Sequence, residues 1–223
     1  MPLGKDDKQD LQEAIDAYSF PPSYYDFVNN RPLAQATMTE VEELIRSDLR
    51  SGDPFLVKSG LSNVLYWGYA QIGYRGTRVK RFRDKVTPRQ LEAGARIFQD
   101  LVGDGLMQIK ALGFPEFSGI SFISKIRMFL APENYVVLDK QILRINVTKS
   151  ETFLREISFR ENETQIRVNP RNVEVYVKWC NKCKEISQCY FAGTYRAVDI
   201  ERGFFTLIQN QQVELAASIL SKV

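Results

Sequence analysis

The segment GDGLMQIKALGFPEFSGISFISKIRMFLAP, residues 103–132, decides how this chain is read. Its first part, GDGLMQIKALG, predicts a short helix closed by Gly113, because glycine takes the left-handed conformation that ends a helix without a Cβ clash. FPEFSG, residues 114–119, is a tight connection, and the residues after it predict a second helix that Pro132 stops. A helix, a short glycine-bearing turn and another helix make a helix-hairpin-helix. On the second helix Ile126, Phe129 and Leu130 join Phe122 and Ile123 on a broad apolar surface, and Lys125 stands among them. Two readings of Lys125 stay open. Its stem can lie along the apolar surface while the amine reaches water, or burial can leave a neutral amine available as a nucleophile.

Beyond Pro132, ENYVVL crosses to Asp139, which stands at the N-cap of a helix expected over KQILRINV, residues 140–147. Aspartate is a favoured N-cap and needs no other purpose. A carboxylate held ionised at a helix N-terminus can also stabilise positive charge that develops beside it.

Working outward, KDDKQDLQEAIDAY (5–18) has the spacing of a short amphipathic helix, and the prolines and asparagines of SFPPSYYDFVNNRP (19–32) break it. Residues 1–36 are therefore expected to form an N-terminal helix and linker ahead of a helical domain over 37–223, in two lobes with a cleft between them. Within that domain Thr39 with Glu42 is a candidate capping box for a helix through Leu49, stopped by SGDP at 51–54. A further helix is expected over 60–73, and Thr87, Pro88 and Gln90 start another that runs to about Val102. TFLREISF and TQIRV, within 148–168, predict a small β-hairpin excursion. Asn169 and Pro170 start a long helix through about Cys189, and Asp199 starts a last one through IERGFFTLIQNQ. The expected fold class is mainly α. No internal repeat or low-complexity tract interrupts it.

Composition narrows the chemistry. With 223 residues, 44% of them hydrophobic, the chain can bury a sizeable core. There is no histidine, which excludes a Ser-His-Asp or Cys-His centre and an H-E-x-x-H zinc site. Neither a G-x-x-x-x-G-K-[ST] loop nor a strand followed by G-x-G-x-x-G is present, so nucleotide-cofactor chemistry has no support. No apolar run reaches the ~18 residues of a membrane span, and the first residues lack a signal-peptide order, so a cytoplasmic location is expected. Three cysteines between 180 and 189 make no disulfide framework. Cys180 and Cys183 would share a helical face with Tyr176 and Val177, which favours buried thiols over a metal site.

The net charge of +3 hides a local cluster. In YRGTRVKRFRDK, residues 74–85, Arg75, Arg78, Lys80, Arg81, Arg83 and Lys85 stand against Asp84 alone. Such a cluster suits nucleic-acid phosphates, or it is a solvated basic face. The upstream aromatics Tyr66, Trp67, Tyr69 and Tyr74 suit either a nucleic-acid surface or the core.

In its order of hairpin glycine, lysine and capping aspartate, Gly119, Lys125 and Asp139, the chain resembles the helix-hairpin-helix DNA glycosylases, particularly the bacterial 8-oxoguanine glycosylase-like group. LYWGYAQIGYRGTRV, FSGISFISKI, YVVLDKQI and RAVDIERGFF look like blocks of that group, and the likeness covers roughly residues 55–208. The hairpin departs from the usual L-P-G-V-G-x-K in carrying Ser121 where a second glycine stands and in placing Lys125 two positions later. The resemblance implies double-stranded DNA as partner, bound by Gly119, Ser121, Arg75, Arg78, Lys80, Arg81 and Arg83. It implies that a damaged or modified base, 8-oxoguanine-like, is flipped out and excised. Lys125 would form a Schiff base with the sugar, Asp139 would stabilise the oxocarbenium-like transition state, and cleavage at the abasic site would follow. Phe129, Trp67, Phe204 and Phe205 are the candidate walls of the base pocket, each with a core role as the alternative. No metal or cofactor is required, and a monomer is expected. Two alternatives are a glycosylase acting on bulky bases of phage DNA, such as glucosylated hydroxymethylcytosine, in antiviral defence, and a non-catalytic DNA-binding protein on the same scaffold.

Overall fold

The computed structural model describes residues 2–100, 105–160 and 162–223. Its helices are α1 (Lys5–Asp16), α2 (Met38–Arg50), α3 (Pro54–Gly68), α4 (Arg75–Lys85), α5 (Pro88–Gln99), α6 (Gly105–Ala111), α7 (Ile120–Leu130), α8 (Pro170–Phe191), α9 (Ala197–Gln209) and α10 (Val213–Ser221). A short 3-10 helix covers Ile142–Val147 and a 3-10 turn Phe153–Glu156, and a small antiparallel sheet pairs β1 (Tyr25–Asp26) with β2 (Arg31–Pro32). The protein is mainly α, as expected. No helix among the described residues is long and apolar enough to cross a membrane. The expected end of the Thr87 helix near Val102 and the start of the next at Gly103 lie outside the described residues.

The chain divides into two compact units, residues 20–130 and residues 1–19 with 131–223. A boundary at residue 36 is therefore not where the chain parts. The reason is non-local: Leu11 and Ile15 of α1 press on Gly203 of α9, where an added Cβ would come within 2.7 Å of Ile15. The first helix thus belongs with the C-terminal part of the chain.

In the unit of residues 20–130, α3 supplies Val57, Leu61, Val64 and Leu65 to a core shared with α2, α5 and α7. Helix α2 starts two residues earlier than Thr39 predicts. Thr37 and Glu40 close the capping box, with Thr37 N donating to Glu40 at 2.7 Å and Glu40 N donating to Thr37 at 3.2 Å. Both T-x-x-E patterns fit the motif, but Glu40 is exposed and free to reach back, whereas Glu42 is buried. At the other end of α7, Arg46 and Arg50 of α2 donate to the carbonyls of Phe129 and Leu130 at 3.3 and 3.0 Å, a favourable meeting of cations with the last carbonyls of a helix.

The small sheet lies at 25–32, not at 148–168. Its strands survive because α3 completes them: the buried Asn63 accepts from Tyr25 N at 2.7 Å and donates to Tyr25 O at 3.1 Å. Asp26 closes the turn by accepting from the amides of Val28 and Asn29, both at 3.0 Å. Within 148–168, by contrast, Phe153–Glu156 is a 3-10 turn, and the buried Asn172 of α8 takes over the backbone bonds. It accepts from Ser158 N at 2.7 Å and donates to the carbonyls of Ser158 and Arg167 at 3.1 and 2.9 Å. A side-chain amide thus replaces the ladder that a hairpin would have needed.

In the unit of residues 1–19 and 131–223, α8 packs on α9 and on the 3-10 turn at 153–156. Asn169 caps it by accepting from Asn172 N at 2.9 Å, and Pro170 follows at its first position, as the sequence predicts. Tyr176 and Trp179 of α8 are buried and donate to the carbonyls of Val136 and Val137 at 3.1 and 3.0 Å. These two bonds fix the extended segment that leads to Asp139.

Candidate active site

Lys125 lies on α7 just after the connection from α6, and only 6% of it is exposed. Helical side chains lean toward the N-terminus of their helix, so its amine turns back to the first turn and donates to Ser121 O at 3.1 Å. It also lies 5.0 Å from the Phe122 ring centre. Gly68 at the end of α3 makes room for this arrangement, since a Cβ there would meet Phe122 at 2.6 Å and Lys125 Cδ at 3.2 Å. From Ile123 to Leu130 every residue of α7 is buried, Arg127 included. Arg127 in turn requires Gly105 at the start of α6, where a Cβ would fall 2.2 Å from its guanidinium. The two helices of the hairpin are therefore locked by a large cation laid over a glycine.

The connection from 112 to 119 carries two left-handed residues, Gly113 and Glu116, with φ of 65° and 68°. Gly113 closes α6 as expected. Gly119 has no such conformation; it is buried at the entrance to α7, where its carbonyl accepts from Ile123 N at 3.3 Å. Ser121 is half-buried and offers its carbonyl to Lys125.

Glu116 reorganises the basic stretch. Its side chain is 6% exposed and holds Arg78 at 2.9 Å and Arg81 at 3.2 Å, both on α4. Lys80 pairs with Asp84 at 2.6 Å. Arg75 donates to the carbonyls of Tyr69 and Ala70, and Arg83 donates to Ser62. The six cations thus do not form one open face: three are paired with carboxylates, two are half-buried against rings and neutral oxygens, and Lys85 is exposed.

Asp139 belongs to the other unit. Its carboxylate accepts from Gln141 N at 2.9 Å and Ile142 N at 3.3 Å, and its carbonyl accepts from Leu143 N at 3.2 Å. Asp139 accepts backbone amides as a capping carboxylate does, but it stands two residues ahead of Gln141, the N-cap of the 3-10 helix Ile142–Val147, and the element that follows is not an α-helix.

The candidate aromatic walls have other partners. Phe129 is 0% exposed and meets Trp67 edge-on with ring centres 5.2 Å apart. Trp67 is buried and also packs on Phe20 at 4.9 Å. Phe204 is fully buried against Trp179 at 5.4 Å. Phe205 is half-buried, 6.2 Å from Tyr18. Phe129, Trp67 and Phe204 therefore fill cores, the alternative that their sequence positions left open, and Phe205 is the one of the four with an appreciably accessible ring. Cys180 and Cys183 are buried thiols and Cys189 is exposed; burial pushes the Cys183 thiol well up.

Sequence reasoning missed Glu116, Arg127 and Asn63. Glu116 had a signal, being the one acid of the connection FPEFSG opposite a run of cations. Arg127 and Asn63 had none, because an arginine or asparagine inside an apolar helix reads as a surface residue until its partner is known.

The chain matches no protein-family model, no curated protein and no solved structure.

Proposed function

We propose that the protein is a DNA glycosylase that excises a damaged or modified base and cleaves the strand at the abasic site left behind. The observation that carries this reading is Lys125, a buried lysine whose amine is turned back to the first turn of the second helix of a helix–connection–helix pair. Lys125 Nζ attacks C1′ of the target nucleotide as the bond to the base nitrogen breaks, and the base leaves with the bonding electrons and gains a proton. Opening of the sugar ring leaves an iminium between Nζ and C1′. Loss of the C2′ proton then expels the 3′ phosphate, and hydrolysis of the imine returns the free amine. Asp139 is a carboxylate fixed by two backbone amides, the kind of group that stabilises an oxocarbenium-like sugar. Of the basic stretch, Arg75 and Arg83 meet only neutral oxygens and are the cations available to phosphates, whereas Arg78, Arg81 and Lys80 would first have to leave their carboxylates.

Borohydride trapping tests this reading. Duplexes carrying 8-oxoguanine, an abasic site or glucosylated hydroxymethylcytosine are mixed with wild type, Lys125→Ala and Asp139→Asn. A covalent adduct that disappears in Lys125→Ala is expected, Asp139→Asn should slow its formation by 10²-fold or more, and the reactive duplex names the base. The burial of Phe129 and Phe204 favours a second reading, DNA binding without chemistry. Salt-sensitive duplex binding with no adduct from any of the three duplexes would replace the first reading with the second.

A further inference from the structure

On the unit of residues 20–130, Arg83, Phe27, Tyr25, Tyr66 and Arg75 form one continuous row. The Arg83 guanidinium lies 4.1 Å from the Phe27 ring centre, Phe27 is 4.9 Å from Tyr25, Tyr25 is 5.4 Å from Tyr66, and the Arg75 guanidinium lies 4.3 Å from Tyr66. Tyr25 and Phe27 come from the β1–β2 hairpin, Tyr66 from α3, and the arginines from the two ends of α4. Every ring already has a neighbour on two sides, so the row offers no open slot for a base. What it presents is its pair of terminal guanidinium groups.

Neither of these meets a carboxylate among the described residues. Arg83 donates to Ser62 Oγ at 3.1 Å, and Arg75 donates to Tyr69 O and Ala70 O at 3.4 and 2.6 Å. In this they differ from Arg78 and Arg81, which share Glu116, and from Lys80, which meets Asp84. A guanidinium laid on a ring is held in one orientation while its charge stays uncompensated. Lys58 lies one turn before Ser62 on α3, and the Ser62 hydroxyl that accepts from Arg83 itself donates to Lys58 O at 2.6 Å; burial first, and then Arg83, hold the lysine amine below its ordinary range, with Asp84 working against them. The two ends of α4 are eight residues apart, about 12 Å along the axis. Uncompensated charge of one sign, in planar groups at two fixed points, suits the phosphates of a single polyanionic backbone.

We propose that this row clamps the sugar–phosphate backbone of duplex DNA, one phosphate at Arg75 and another at Arg83 with Lys58, and that the β1–β2 hairpin holds the clamp in shape. The choice of DNA rests on the function proposed above; the clamp itself needs no chemistry at Lys125.

Fluorescence anisotropy with a short lesion-free duplex, across salt concentrations, tests it. The slope of log affinity against log salt should fall by about 2 in Arg75→Gln/Arg83→Gln and by about 1 in Lys58→Gln. Arg89→Gln, an exposed cation on α5, should leave the slope unchanged. Thermal melts establish that each variant is folded, and Lys58→Gln carries the test if the double variant is not. An unchanged slope in a folded Lys58→Gln, or wild type that fails to bind duplex in a salt-dependent way, overturns the clamp. Because the duplex carries no lesion, the result is independent of whether Lys125 forms an adduct.

Discussion

Lys125 owes its position to a residue with no side chain. Gly68 leaves the space that Phe122 and the lysine stem occupy, and a methyl group there would come within 2.6 Å of Phe122. Gly68→Ala is expected to destabilise the fold by about 1–3 kcal/mol through overpacking, read as a lower melting temperature. If Lys125 is the nucleophile proposed above, it should reduce borohydride trapping more than duplex binding, because the displaced atoms belong to the Lys125 stem. A second residue sets a pH dependence. Burial pushes the Asp48 carboxyl up to about 6, against the hydrogen bond that Tyr24 donates to it at 3.0 Å. The folded protein therefore keeps this proton between about pH 4 and 6, where the unfolded chain has lost it. Stability from this group is fully present below pH 4 and declines as pH rises through 6. Asp48→Asn should flatten that part of the curve, which melts recorded from pH 4 to 7 would reveal; an unaltered slope would assign the dependence to other groups.

Among the elements, the connection between α6 and α7 does two things at once. It delivers the chain into the helix that bears Lys125, and through Glu116 it neutralises Arg78 and Arg81 of α4. Glu116 competes with any phosphate for those two arginines. Glu116→Gln keeps the length of the side chain and removes its charge, so duplex affinity at low salt should rise several-fold and its salt slope should steepen by 1 to 2. Anisotropy on the same lesion-free duplex measures both. Affinity that falls instead would mean that the arginines serve to position the connection and do not reach DNA. Helix α7 itself is held through its last turn, by Arg127 over Gly105 of α6 and by Arg46 and Arg50 on its last carbonyls. An element so constrained suits a reacting group whose position must not drift.

At the scale of the whole molecule, the chain leaves one unit after Ser19 and returns to it at Ala131. The first helix is consequently part of a core built more than a hundred residues later. Leu11 is 0% exposed and lies on Gly203. Leu11→Ala should cost about 2–5 kcal/mol, the range for a fully buried leucine, rather than the few tenths expected of a terminal appendage. Chemical denaturation compared with wild type measures this difference, and a negligible loss would detach α1 from the core.

What the sequence by itself determined was local. Helical periodicity, the Thr87 and Asn169 caps and Gly113 as a helix stop all depend on contacts within a few residues, and all appear where their spacing places them. The order of Lys125 and Asp139 along the chain was legible for the same reason. Tertiary structure alone decided which of two overlapping capping boxes closes α2, because burial of Glu42 removes one competitor. It also decided where the sheet forms, since Asn63 reaches back 38 residues to complete it. The fates of the arginines follow the same rule, because Glu116 lies 35 and 38 residues from its two partners. Whether Phe129 or Phe204 faces a ligand or a core is likewise invisible in periodicity, because an apolar ring suits either place and only the packing of distant elements around it chooses.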